Sequence, residues 1–188
     1  TGEWTFETWI YIDSSPSGGA LFSKSNGTYA SEIFGLLVDN QGGIINFRWQ
    51  NTDNSLHNSS FGTGLGSYTT GQIIQNWVHV AVTRRASDGS IHFFLNGTES
   101  TSTSSNQVID NNIPNNSLRY LYLNRREKYL DSRSTDAIYD DVRIQAKERY
   151  TSNLTVQTSA FTNDGPLTHY LGGEVQRLEK NTNFLQLP

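Results

Sequence analysis

An all-β chain folded as two packed antiparallel sheets is the fold class that the sequence predicts, and three observations predict it. Apolar residues recur with a two-residue period in six or seven short runs. Clusters of Gly, Asn, Asp and Ser separate those runs, and no segment before Gln145 shows a 3.6-residue apolar period. The 188 residues suit one sandwich with a single core better than two independent domains.

The first strand is Trp4 to Ile12, with Trp4, Phe6, Thr8 and Ile10 on one face and Thr5, Glu7, Trp9 and Tyr11 on the other. Asp13 to Gly19 is a turn cluster. Ala20 to Ser23 is a short apolar piece, and Lys24-Ser25-Asn26-Gly27 offers a turn in which Asn and Gly accept positive φ. Ile33 to Val38 runs through Asp39–Gly43 into Ile44 to Gln50. From Asn51 to Gly71 the chain is rich in Asn, Ser, Thr and Gly, which predicts a long ordered loop holding at most one short strand.

Trp77 to Arg84 alternates, with Val78, Val80 and Val82 facing one way; Asp88-Gly89 turns it into Ile91 to Leu95, which ends at Asn96-Gly97. Ser117 to Asn124 follows a second polar stretch. Ile138 to Gln145 is the last clear strand, expected to carry Ile138, Asp140, Val142 and Ile144 on one face and Tyr139, Asp141 and Arg143 on the other. The domain is expected to span 1–164. Residues 165–188 form a C-terminal extension, in which Glu174 to Lys180 suits two helical turns.

Composition excludes several classes. The net charge is −4 and no run of Lys or Arg exceeds two, so the field that holds a nucleic-acid backbone is missing. The chain has no Cys, which removes disulfides, thiol nucleophiles and thiolate metal sites. No apolar stretch reaches the length of a spanning helix, so membrane insertion is not expected.

Trp4 to Ile10, Leu21-Phe22-Ser23-Lys24, Trp77-Val78-His79-Val80-Ala81-Val82-Thr83-Arg84, Phe94-Leu95-Asn96-Gly97 and Tyr139-Asp140-Asp141-Val142-Arg143-Ile144, in this order and spacing, resemble the laminin G-like domains of the concanavalin A-like lectin and glucanase superfamily. Arg149 to Thr158 is similar to the closing segment of such domains in tailed-phage virion proteins, tail fibres above all. The resemblance implies a jelly-roll sandwich used in adhesion, glycan binding or structural decoration, often with calcium. It also implies a structural role for Trp77. Two departures stand out: Ala137 occupies a place where Gly is usual, and the strand that normally precedes the Trp-rich one is missing. A sandwich without that strand leaves a ladder edge to be covered, by an earlier part of a longer chain or by a neighbour, and Thr1 is then expected to be an internal boundary.

An enzyme would need an acid and a base facing each other. Asp140 and Asp141 adjoin in a strand and point apart, and the Glu-x-Asp-x-x-Glu pattern of glucanases does not occur. Glu3 and Glu7 share a face whose aromatic pattern reads as sheet packing. The histidines are scattered; His79 and His92 could meet across a hairpin as a metal pair, but two partly buried outer-face imidazoles are the better reading. No catalytic residue is assigned and no resident cofactor is expected. Calcium is the metal that the oxygen donors Asp39, Asn40, Asp140 and Asp141 would take.

A glycan site needs a flat aromatic beside groups that grip hydroxyls. Trp49, Asn51, Asp53, Asn54 and His57 meet that description, with Tyr29 and Tyr68 as further loop aromatics. Trp49 has a competing reading as core edge, since Ile45, Phe47 and Trp49 share one period-two face. In the tail, Leu171, Val175, Leu178, Phe184, Leu185 and Leu187 form an apolar set for assembly, with a strap over the chain's own sandwich as the even alternative. Two functional readings result. The first is a non-enzymatic phage virion structural or appendage protein on the particle surface, whose partners are other virion subunits or copies of itself, with cell-surface glycan a further partner. The second is a carbohydrate-binding adhesion module of an extracellular protein.

Overall fold

A computed structural model describes residues 2–13, 19–25, 32–39, 44–50, 56–61, 73–99, 120–123, 137–161, 169–171 and 176–177. In chain order the strands are β1 (Trp4–Ile12), β2 (Gly19–Ser25), β3 (Glu32–Asp39), β4 (Ile44–Gln50), β5 (Leu56–Phe61), β6 (Trp77–Arg84), β7 (Ile91–Leu95), β8 (Thr98–Glu99), β9 (Tyr120–Leu123), β10 (Ala137–Gln145), β11 (His169–Leu171) and β12 (Gln176–Arg177). They form two antiparallel sheets. One runs β11-β10-β1-β6-β7-β8, with β12 also on β10; the other runs β5-β4-β3-β2-β9.

The predicted alternation of β1 and β6 holds. Phe6, Ile10 and Ile12 join Val78, Val80 and Val82 in a core that also takes Ile91, Phe93 and Leu95 from β7, and Leu21, Phe22 and Leu123 from the facing sheet. Phe6 and Phe22 bring their ring centroids to 3.8 Å across the sandwich. A second tie is polar: the Tyr139 hydroxyl donates to the Leu21 carbonyl oxygen at 2.6 Å in a buried setting. Tyr139→Phe deletes that donor and strands a buried carbonyl, so urea unfolding should show a loss of about 1–2 kcal/mol with an unchanged m-value.

Turn chemistry closes the β6–β7–β8 meander. Gly89 takes φ 70°, and Asn96 and Gly97 take φ 47° and 79°, the positive pair that a two-residue hairpin loop demands. Asn96 also clamps β6: its Oδ1 accepts from the His79 amide at 2.9 Å, and its own amide donates to the His79 carbonyl at 2.8 Å. The two-residue β8 that follows is too short to show as periodicity.

Three expectations need correction. First, no ladder edge is left open beside the N-terminal strand, because β1 lies inside its sheet and pairs with β10 on one side and β6 on the other. The outer flank of β10 is taken by residues of the tail, with Val142 opposite Leu171 and Ile138 opposite Arg177. Second, that tail pairs as short strands where a helix was expected over 174–180; three apolar residues stabilise two helical turns less than ladder bonds to β10 do. Third, the simple alternation of β10 breaks. Glu7 pairs with Arg143 and Trp9 with Asp140, so one extra residue of β10 lies opposite Thr8. Asp141 absorbs this bulge at φ 50°. Tyr139 and Val142 therefore share the core face, and Asp141, Val142 and Arg143 are all buried.

Beyond β10 the chain does not leave the sheet. Residues 146–161 run as an irregular strap across the face of the seven-stranded sheet that points away from the core. Thr5 Oγ1 donates to the Lys147 carbonyl at 2.6 Å and accepts from the Arg149 amide at 3.1 Å. Farther along, the Leu154 amide donates to the Gly97 carbonyl at 2.9 Å. The Glu99 amide donates to Asn153 Oδ1 at 2.7 Å, and the Phe161 amide to Asp141 Oδ2 at 3.2 Å. The strap turns an outer sheet face into a second interior.

Candidate functional site

Under the strap lies a cluster of charge. Glu7 is fully buried, and its Oε1 accepts from Arg143 Nε at 2.8 Å and Nη2 at 2.6 Å. Its Oε2 accepts from the Tyr150 hydroxyl at 2.6 Å and lies 3.2 Å from His79 Nε2. Arg149 Nε stands 3.5 Å from Oε1, and Arg143 also lies over the Phe161 ring at 4.4 Å. Burial alone would raise the Glu7 carboxyl, but the hydrogen bonds from His79 and Tyr150 and the Arg143 charge outweigh it and hold the group below the ordinary carboxylate range. Burial, and then the Glu7 charge it faces, push the Tyr150 hydroxyl up to about 12.

The chemistry of this cluster is structural. A buried carboxyl held below the ordinary range is poorly suited to protonating a leaving group, and Glu3, which precedes β1, is exposed. His79 and His92 do not pair: His92 is opposite Thr83 and His79 lies beyond the last ladder partner of β7. His92 instead bonds Ser90 Oγ at 3.1 Å and Glu99 Oε1 at 2.5 Å.

For calcium, the described residues fit poorly. Asp141 spends an oxygen on the Phe161 amide and sits in the bulge, while Asp140 is only half-buried one residue before it. No group of three or more His, Asp or Glu comes together among the described residues, far from the six to eight oxygens that calcium takes. Asp39 ends β3, and Asn40 lies outside the described residues.

The glycan candidates are gathered by register. Trp49 of β4 is directly opposite His57 of β5, and Gln50 is opposite Leu56. Asn51, Asp53 and Asn54 fall in sequence between these two strands and lie outside the described residues. Ser25 pairs with Glu32 and Phe34 with Trp49, which puts both ends of the 26–31 connection, Tyr29's, at the same end of the sheet. The connection with Tyr68, also outside the described residues, leaves from Phe61 at the opposite end, as does that of Asn40. Of the tail residues, Leu171 closes β11, whereas Val175, Leu178, Phe184, Leu185 and Leu187 lie outside the described residues.

Sequence reasoning missed an exposed aromatic. Trp77, expected to be a packing residue, is 41% exposed, the one large hydrophobic residue so exposed among the described ones. It opens β6 on the face of the sheet that points away from the core. Its ring lies 5.7 Å from that of Tyr11.

Comparison with known proteins agrees with this architecture. The sequence pattern of the laminin G-like family of the concanavalin A-like lectin/glucanases superfamily matches residues 1–155, and the chain belongs to that family. No curated protein sequence matches it. Among solved structures, the carbohydrate-binding module CBM40 of the Ruminococcus gnavus IT-sialidase, bound to α2,6-sialyllactose, is 16% identical with a TM-score of 0.58 over 79% of both chains. A Bacteroides ovatus protein described as a carbohydrate-binding candidate is 18% identical, with a TM-score of 0.55 over 79% of this chain and 38% of its own. The binding domain of botulinum neurotoxin serotype D is 14% identical, with a TM-score of 0.53 over 80% of this chain and 34% of its own. The chain thus spans little more than a third of the latter two. At such identities the likeness is one of fold.

Proposed function

We propose that the chain is a non-catalytic carbohydrate-binding module with an extracellular adhesion role. The observation that carries this reading is the register that sets Trp49 opposite His57 at the end of the β4–β5 pair, with Phe34 opposite Trp49 and Ser25 opposite Glu32 at the same end of the sheet. The sequence of this hairpin holds an indole, an imidazole, two Asn amides and a carboxylate, the residue types that offer an apolar face and grips for sugar hydroxyls. The shared fold of a sialyllactose-bound module supports the same direction. A virion appendage, the other reading of the sequence, draws no comparable support from these relatives.

Binding to a glycan panel tests the proposal. Trp49→Ala, verified as folded by circular dichroism, should lose at least tenfold in affinity for the best-bound glycan, equivalent to about 1.4 kcal/mol. His57→Ala should lose less. Affinity unchanged in Trp49→Ala would remove the hairpin tip as the site.

A further inference from the structure

We infer that the chain carries a second carbohydrate-contacting surface, on the outer face of the seven-stranded sheet and built on Trp77 and Tyr11. It rests on the carbohydrate-binding reading above but lies on the other sheet. Tyr11 pairs with Trp77 on one side and with Ile138 on the other, so Trp77, Tyr11 and Ile138 form a row across three strands. Tyr11 and Ile138 are half-buried, and Trp77 is exposed. The next row holds His79, Trp9 and Asp140. There the strap has already closed over the sheet: the Trp9 indole N–H donates to the Gln157 carbonyl at 3.3 Å, and Phe161 packs edge-on against His79 at 5.9 Å. Among the described residues, the strap's contacts stop at that row and do not reach the Trp77 row.

A single exposed aromatic would need no explanation, but two adjacent rings tilted at 48° on a rigid sheet make a platform. Its borders are polar. Gln75 and Asn76, both exposed, immediately precede Trp77, and Asp140 is half-buried beside Trp9. The approach to Trp77 is also fixed at some cost. Gln75 is held at φ 57°, a conformation that L side chains rarely adopt, by a 2.7 Å hydrogen bond from its amide to the Ile12 carbonyl. Flat rings flanked by amides and a carboxylate match a pyranose, whose C–H face stacks while its hydroxyls take hydrogen bonds. A protein partner would favour a broader apolar patch than this row provides.

The four tryptophan indole N–H signals of the ¹⁵N-labelled chain, assigned with single Trp→Phe variants, report each site separately. The probes are α2,3-sialyllactose, α2,6-sialyllactose, lactose and maltotriose, each titrated to saturation or to its solubility. The expected result is a saturable shift of the Trp77 signal with at least one probe. The affinity read from that shift should weaken at least tenfold in Tyr11→Ala and persist in Trp49→Ala; by calorimetric titration with the same probe in the Trp49→Ala background, Trp77→Phe should bind within threefold of the Trp49→Ala variant and Trp77→Ala should lose at least tenfold. A response confined to Trp49 overturns this second surface and leaves the hairpin site standing. A response confined to Trp77 does the reverse. Silence of both signals with all four probes overturns both, and so, for the second surface, does a change in molar mass of Trp77→Ala by light scattering without any sugar response, which marks a protein contact.

Discussion

Glu7→Ala should destabilise the sandwich by about 3–5 kcal/mol, the cost of removing one member of a buried ion pair. Arg143 is 1% exposed and directs both Nε and Nη2 at the carboxylate that this substitution removes. Tyr150 and His79 lose an acceptor in the same step. Glu7→Gln keeps the volume and an acceptor oxygen but not the charge, and should fall between the parent and the alanine variant. Replacing both charges, as Glu7→Leu with Arg143→Met, should recover much of the loss, because both members of the buried ion pair then leave together. Urea unfolding of the parent, Glu7→Leu, Arg143→Met and the double variant forms a double-mutant cycle. A Glu7→Ala cost below about 1 kcal/mol would mean that water already screens the cluster.

The same cluster sets an acid limit. The folded Glu7 carboxyl lies below its unfolded value, so the unfolded chain binds the proton more readily and stability falls as pH falls. The contribution is complete above the ordinary glutamate range and is lost as pH drops through that range toward the folded value. Thermal unfolding of the parent should therefore weaken more steeply on acidification than that of Glu7→Gln, with the two curves converging at the acid end.

The legible parts of this fold are those that local chemistry dictates. Val78, Val80 and Val82 announce a buried face by period alone, and Asp88-Gly89 between two alternating runs announces the β6–β7 hairpin. Glu7 was not legible. Its partners His79, Arg143, Arg149 and Tyr150 come from other strands and from the strap, and they meet it only because the sheet order places β1 between β10 and β6. Thr5, Glu7, His79 and Thr83 form a polar face that period-two reading assigns to solvent, until a segment without periodicity covers it. The bulge at Asp141 is equally silent in the sequence, since nothing near it except the pairing of Glu7 with Arg143 demands an extra residue. For the glycan site, composition pointed to Trp49 through His57, but only register showed that β5 folds the stretch back so that these two residues face each other.

Gly97→Ala tests whether the strap and the hairpin fit as closely as the backbone indicates. At φ 79° any Cβ costs about 1–2 kcal/mol, and here it would stand 2.2 Å from the Leu154 carbonyl oxygen and 3.0 Å from Val156 Cγ2. A backbone oxygen cannot rotate aside as a side chain can, so the strap must lift, and the bond from the Leu154 amide to the Gly97 carbonyl goes with it. The combined loss should be about 2–4 kcal/mol. Gly97→Asn separates the two causes. Asparagine tolerates the left-handed conformation yet carries the same Cβ, so it should remain destabilised by the collision alone. Gly2→Ala is the control, because a Cβ there meets nothing within 4 Å. Trypsin supplies the local readout. Lys147 and Arg149 lie at the start of the strap, and cleavage there should rise in both Gly97 variants while the β6–β7 hairpin stays resistant. Full stability in Gly97→Asn, with the strap still resistant, would show that the strap rides above the turn and that the outer face of the sheet is held by the Glu7 cluster alone.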